Sequence, residues 1–239
     1  MKYPIASLLV SASLLYAPLG FAGDRALQVE VTNLTNAIYF TPLLVAMHDR
    51  STHLFELGIP ASEHLQAMAE GGDLSGLISD LQITGHSYVE NPASGLLAPG
   101  ASTQAVFNTT RWGERRLSIV GMLLPTNDGF VGADSIKLPK HRGTYTYYLY
   151  GYDAGTEAND EIITGGGAPN TPGIPADPGM NAGSGGIASV GPDYNQTVHI
   201  HRGNIGDRDP LGGDSDLDAR IHTWQGPVAK VVVRVGSHD

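Results

Sequence analysis

Two runs decide the fold: SIVGMLLPTNDGFVGADSIKLP (residues 118–139) and, beyond Lys140-His141-Arg142-Gly143, TYTYYLYGYDAGTE (residues 144–157). Ile119 to Leu124 is unbroken apolar sequence closed by Pro125, and Asn127-Asp128-Gly129 is tight-turn sequence. Tyr145 to Tyr152 reads as an aromatic strand ending at Asp153-Ala154-Gly155. Strands of this kind, side by side or face to face in one sandwich, release their turns at the same rim. Asp128, Asp153 and Glu157 then crowd into a small volume. Neighbouring carboxylates repel and raise each other's pKa. A hard cation removes the conflict, and calcium takes such ligands from carboxylates and turn carbonyls. The plainer reading is turn chemistry, because Asp-Gly marks hairpins and Asp side chains bond the backbone of their own turns. Spacing alone leaves both open.

The first residues read as a leader. Met1-Lys2 carries one positive charge, Ile5 to Leu15 is mostly apolar, and Gly20-Phe21-Ala22 offers small residues for cleavage. A secretory signal peptide over residues 1–22 places the mature chain, from Gly23, outside the cytoplasm, secreted or periplasmic. No later stretch approaches the ~20 apolar residues that span a bilayer. The chain contains no cysteine, so a core or a bound ion must stabilise it. Its formal charge of −10 becomes −11 without Lys2. An acidic chain is a poor partner for nucleic acid or anionic lipid and suits calcium or cationic partners. With 31 glycines and 15 prolines, many turns are expected, as in a β-sandwich, plus one low-complexity loop.

Leu27 to Thr32 alternates apolar and polar and predicts a half-buried first strand. Ala37 to Phe40 leads through Pro42 into a second, Leu43 to Met47. Ser62 is a candidate N-cap for a short helix with Leu65, Met68 and Ala69 on one face, ended by Gly71-Gly72. Asp73 is placed to cap a second helix carrying Leu74, Leu77, Ile78 and Leu81 at helical spacing. Strands are also predicted over Ser102 to Asn108, Val198 to His201 and Pro227 to Val235, with a polar turn at Arg111 to Arg116 between. Residues 164–192, rich in Gly and Pro without periodicity, read as a long mobile loop. No internal repeat is present. One domain is expected over residues 23–239.

Several short pieces, in order, resemble the spondin N-terminal domain family, best known from the F-spondins of animal extracellular matrix. They are Phe40-Thr41-Pro42-Leu43-Leu44, Gly58-Ile59-Pro60-Ala61-Ser62, Ala69-Glu70-Gly71, Ser118 to Leu138, Tyr152-Asp153-Ala154-Gly155-Thr156-Glu157, and Pro227-Val228-Ala229-Lys230-Val231. The resemblance is to a stand-alone bacterial version without thrombospondin repeats. It implies an all-β antiparallel sandwich similar to a C2 domain, with one or two short helices in a connection. It also implies a calcium ion at one end, a role that falls on Asp128, Asp153 and Glu157, with Glu157 where some members carry Asp. Asp134, in the same motif, is a second choice better suited to fixing a loop. The insert over residues 164–192 and the histidines after it depart from the animal pattern and inherit no function.

A second reading rests on histidine. His199 and His201 share a face of a short strand, and with His48, or with His53 or His222, they could bind copper or zinc. Asp214-Ser215-Asp216-Leu217-Asp218 alternates carboxylates but lacks the later Gly and Glu of an EF-hand, so it reads as an acidic turn. Ser118 or Ser135 could be assembled with a His and an Asp into a triad on paper. G-x-S-x-G, H-E-x-x-H and a phosphate-cradling loop are all missing from the sequence, so no enzyme is expected. The expectation is therefore a secreted or periplasmic calcium-binding, adhesion-type module for a protein, envelope or matrix partner. The alternative is a periplasmic copper-binding protein.

Overall fold

The computed structural model describes residues 26–108, 114–188 and 195–236. The predicted leader and the Arg111-Trp112 part of the polar turn lie outside these residues. In chain order the elements are β1 (Leu27–Asn33), β2 (Tyr39–Phe40), β3 (Leu44–His48), α1 (Glu63–Gly71), α2 (Ser75–Thr84), β4 (Ser87–Glu90) and β5 (Ser102–Phe107). They continue as β6 (Arg116–Leu124), β7 (Gly129–Lys137), β8 (Gly143–Asp153), β9 (His199–Ile200) and β10 (Ala229–Val235).

The strands pair antiparallel in the order β4-β3-β6-β7-β8-β10-β1-β5, with β2 on β6 and β9 on β8. The continuous sheet folds over because β8 belongs to both halves. Its residues Gly143 to Leu149 pair with β10, and Tyr150 to Asp153 pair with β7. β4 and β5, at the two ends of the order, lie against each other, so the roll nearly closes into a barrel. The expected all-β sandwich is what forms.

Burial explains the two kinds of strand pattern. In β1, Leu27, Val29 and Val31 point into the core between the halves, while Gln28, Glu30 and Thr32 face outward. β3 and β6 are buried on both faces and therefore read as apolar runs. Val45, Met47, Ile119 and Leu123 pack into the sandwich core; Leu44, Ala46, Val120 and Met122 pack under α1 and α2 against Leu65, Met68, Leu77 and Leu81. Ser62 caps α1 as predicted, its hydroxyl accepting from the Leu65 N–H at 3.1 Å, and Gly72 ends it at φ 72°. At α2 the cap residue is Leu74; Asp73 serves one position off, accepting from the Ser75 N–H at 2.8 Å.

The described part of the Gly- and Pro-rich run, residues 164–188, is irregular as expected but tied down along its length. Ile163 and Ile174 form an isolated parallel bridge, Ile174 is fully buried, and the Asn170 N–H donates to Glu70 on α1 at 2.9 Å. The run crosses α1 so closely that a Cβ on Gly71 would lie 2.1 Å from the Gly167 carbonyl oxygen. A Gly71→Ala variant should therefore lose about 1–3 kcal/mol of stability, as overpacked sites do, read as a lower midpoint in a urea or thermal melt. An unchanged midpoint would show that the crossing is not closely packed.

Candidate functional site

The rim is built by register. Gly129, the first residue of β7, pairs with Asp153, the last of β8, so the β6–β7 turn and the exit from β8 emerge together. The β6–β7 turn is held by Thr126, whose hydroxyl donates to the Leu123 carbonyl at 2.7 Å and accepts from the Gly129 N–H at 3.0 Å. Behind it, Asp128 is fully buried and Asp153 nearly so.

Each carboxylate has a different set of partners. Asp128 Oδ2 accepts from the Thr156 N–H at 2.8 Å, the Thr156 hydroxyl at 3.2 Å and the Glu157 N–H at 3.1 Å. Its Oδ1 is buried without a hydrogen-bond partner. Asp153 uses both oxygens, Oδ1 for the Gly155 N–H and Oδ2 for the Asn159 amide, at 2.8 and 2.7 Å. Glu157 Oε2 accepts from the Gly173 N–H at 3.2 Å and the Asn127 amide at 3.4 Å, whereas Oε1 is buried and unpartnered. Burial, reinforced by the Asp153 charge, pushes Asp128 up to about 7. Burial likewise lifts Glu157 to about 7, with the Glu70 and Asp128 charges adding to it.

Two buried carboxylate oxygens facing no donor are costly in a protein interior, and a proton or a cation is the kind of partner able to offset that cost. The donor chemistry fits calcium: hard oxygen atoms at a loop rim, with no sulfur and no imidazole required. The three predicted residues share one rim; the Asp153 charge bears on Asp128, and the Asp128 charge on Glu157. Among the described residues, however, no three Asp, Glu, His or Cys side chains close into a metal-binding group. Asp153 is spent on its own loop, so the free oxygens belong to Asp128 and Glu157. Glu70, inside the family-like piece Ala69-Glu70-Gly71, is fully buried on α1, and its charge bears on Glu157. Its oxygens accept from the Gln66 amide and the Asn170 N–H.

Among the described residues, the other buried acids have donors on both oxygens. Glu161 receives the Ile205 and Gly206 N–H groups and the Ser215 hydroxyl. In the acidic run, Asp216 accepts from the Ile163 and Gly186 N–H groups, and Asp218 is paired with Arg220. Asp134 accepts from the Leu54 N–H at 2.9 Å and from His53, fixing a loop near the opposite end of β7.

The histidines do not assemble. His48 sits with Arg116 at the far end of β6, whereas His199 pairs with Asp153 at the rim. Both His48 ring nitrogens are engaged, by the Asp49 carbonyl and by the Ser118 hydroxyl, each at 2.7 Å. His201 is buried, packed against Trp224 with ring centres 4.9 Å apart and planes tilted by 37°, and its Nδ1 accepts from the Gly203 N–H at 2.9 Å. That bond leaves the proton of the neutral ring on Nε2, which then has no lone pair for a metal. Burial lowers its pKa to about 4, keeping it neutral. His222 is held in the same way by the Asp218 N–H. The Ser118–His48 contact is the start of the triad drawn on paper, but Ser118 is fully buried, its hydroxyl bonded to His48 and to the Ser135 N–H.

A family profile described as Spondin_N matches residues 32–178, which is 147 of the 239 residues. The chain belongs to the spondin N-terminal domain family. All three rim carboxylates of this spondin domain lie inside the match. β9, β10, both rim histidines and the 207–218 acidic run lie beyond it, as does the family-like piece at Pro227 to Val231. No curated protein matches the chain.

The raised carboxylates set a pH test. A group protonated more readily when folded loses its stabilising contribution as pH rises from its unfolded value, near 4, to its folded value, about 7. Each unit of elevation is worth about 1.4 kcal/mol. The depressed His201 works oppositely, gaining stability from about pH 4 to 6.5, so the wild-type curve alone is ambiguous. Asp128→Asn, compared with wild type in chelator, isolates the carboxylate. Its melting temperature should gain on that of wild type as pH rises from about 4 to 7; a constant difference would show that Asp128 is ionised throughout.

Proposed function

We propose that this spondin domain is an extracellular binding module whose rim is ordered by one calcium ion. Asp128 Oδ1 and Glu157 Oε1 are the carboxylate ligands, and Asp153 adds charge beside them. The observation that carries this reading is the pair of buried, unpartnered oxygens in a molecule whose other buried acids are saturated with N–H and O–H donors. The ion neutralises acids that otherwise keep their protons to about pH 7. It joins the β6–β7 turn to the segment leaving β8 and, through Glu157 and Gly173, to the irregular run across α1. The ordered rim then presents a rigid surface to a protein, envelope or matrix partner, in a protein exported by its leader to the periplasm or beyond. No helix among the described residues is long and apolar enough to cross a membrane.

The test is metal content of the purified mature protein, then melting with calcium or chelator. About one calcium per chain is expected, with stabilisation of about 2.7 kcal/mol at a hundredfold excess over Kd. Asp128→Asn and Glu157→Gln should each abolish that gain without unfolding the chelated protein. No calcium and identical melts would overturn the reading, as would copper in its place.

A further inference from the structure

Net charge conceals a polarised molecule. His48 pairs with Arg116, and Arg116 with Lys137, at one end of the sandwich. The Arg115 N–H donates to the His48 carbonyl, Arg50 follows two residues after His48, and Lys140 and Arg142 lie in the β7–β8 connection. Arg50, Arg115, Lys137, Lys140 and Arg142 are all exposed there. Of the described acids at this end, Glu114 is buried against Ser87 and Asp134 is bonded to His53. Asp49 is half-buried and bonded to Ser51, and Glu56 remains exposed. The opposite end holds Asp128, Asp153, Glu157, Asp160 and Glu161, with the 207–218 run joined to them through the Asp216–Glu161 backbone bond.

We propose that the cationic end docks an anionic polysaccharide, whose sulfate or carboxylate groups meet Arg50, Arg115, Lys137 and Arg142. Neighbouring strands stand about 4.8 Å apart, so cations at the ends of β3, β6 and β7 and in the next connection form a row. A row suits a linear chain with an anion on successive sugars better than a single phosphate. Residues 49–52, 114–116 and 136–142 expose no large apolar side chain. Among the described residues they offer no large apolar side chain to insert into a bilayer. The exposed Asp209 and Asp214 of the opposite end are repelled by the same polymer, so the molecule docks end-on with its rim turned outward. This surface is remote from the calcium reading and does not depend on it.

The experiment uses the whole mature chain and a heparin dodecasaccharide as sulfated probe, at about 50 mM salt, where charge contacts are weakly screened. Amine acetylation read by mass spectrometry should show Lys137 protected by the probe, and Lys230, near the start of β10, modified at its free rate. The Arg115→Ala/Lys137→Ala/Arg142→Ala variant should bind at least about tenfold more weakly, each lost cation lowering the salt dependence. Arg208→Ala/Arg220→Ala, at the acidic end, should bind as wild type. An unprotected Lys137 or equal loss in both variants would overturn the proposal. Equally tight binding of single-stranded DNA or phosphatidylglycerol vesicles would overturn the choice of polysaccharide. Should the triple variant melt early, lysine protection on the wild-type chain decides alone.

Discussion

A buried carboxylate must find donors or a cation, and the irregular half of this protein is arranged around that demand. Between Ala154 and Val228 the described chain has one two-residue strand and no helix. Its conformation is held instead by acids that collect backbone N–H groups: Glu161 joins residues 205 and 206, Asp216 joins 163 and 186, and Asp177 gathers residues 179, 181 and 182. Each such bond to a charged acceptor contributes about 1.5–3 kcal/mol where it forms. Without disulfides, these acids do the cross-linking. Asp128 and Glu157 follow the same rule with one oxygen each and leave the other open.

The rim has its address because of the sheets. β8 spans both halves of the roll, and its last four residues pair with β7 only because the strand outruns β10. The half it enters is covered on one side by the sandwich core and on the other by two helices. Its strands β3 and β6 are therefore rigid on both faces, and the turn after β6 is fixed at its root. A site on the loops of such a sheet is positioned by packing that lies elsewhere.

Much of this was legible. Period-two alternation marked β1, β5 and β10, and the apolar run of β6 marked a strand buried on both faces. Ser62 and Gly72 marked α1, and two Asp-bearing turns marked the rim. Three features could not be read locally. The double use of β8 depends on register, which the aromatic run Tyr145 to Tyr152 does not encode. The packing of residues 164–188 depends on long-range partners, such as Asn170 with Glu70 and Gly71 with Gly167, while Gly and Pro composition reports only the lack of period. The acidic run at 214–218 looked solvated because its partners, Ile163 and Gly186 among them, are tens of residues away. His199 and His201 looked like a pair, yet a backbone N–H on His201 Nδ1 takes away the lone-pair arrangement a metal needs, a detail sequence cannot carry.

Charge shows most plainly what composition hides. A formal charge of −10 reads as a chain that avoids polyanions. Antiparallel strands sort their ends, however: every strand start or stop near Arg116, Lys137 and Gly143 shares one pole, and those near Leu124, Gly129 and Asp153 share the other. Cations concentrated in the connections of one pole and acids in those of the other give a molecule with a strong axis, whose two ends meet opposite kinds of surface. A single averaged number describes neither end.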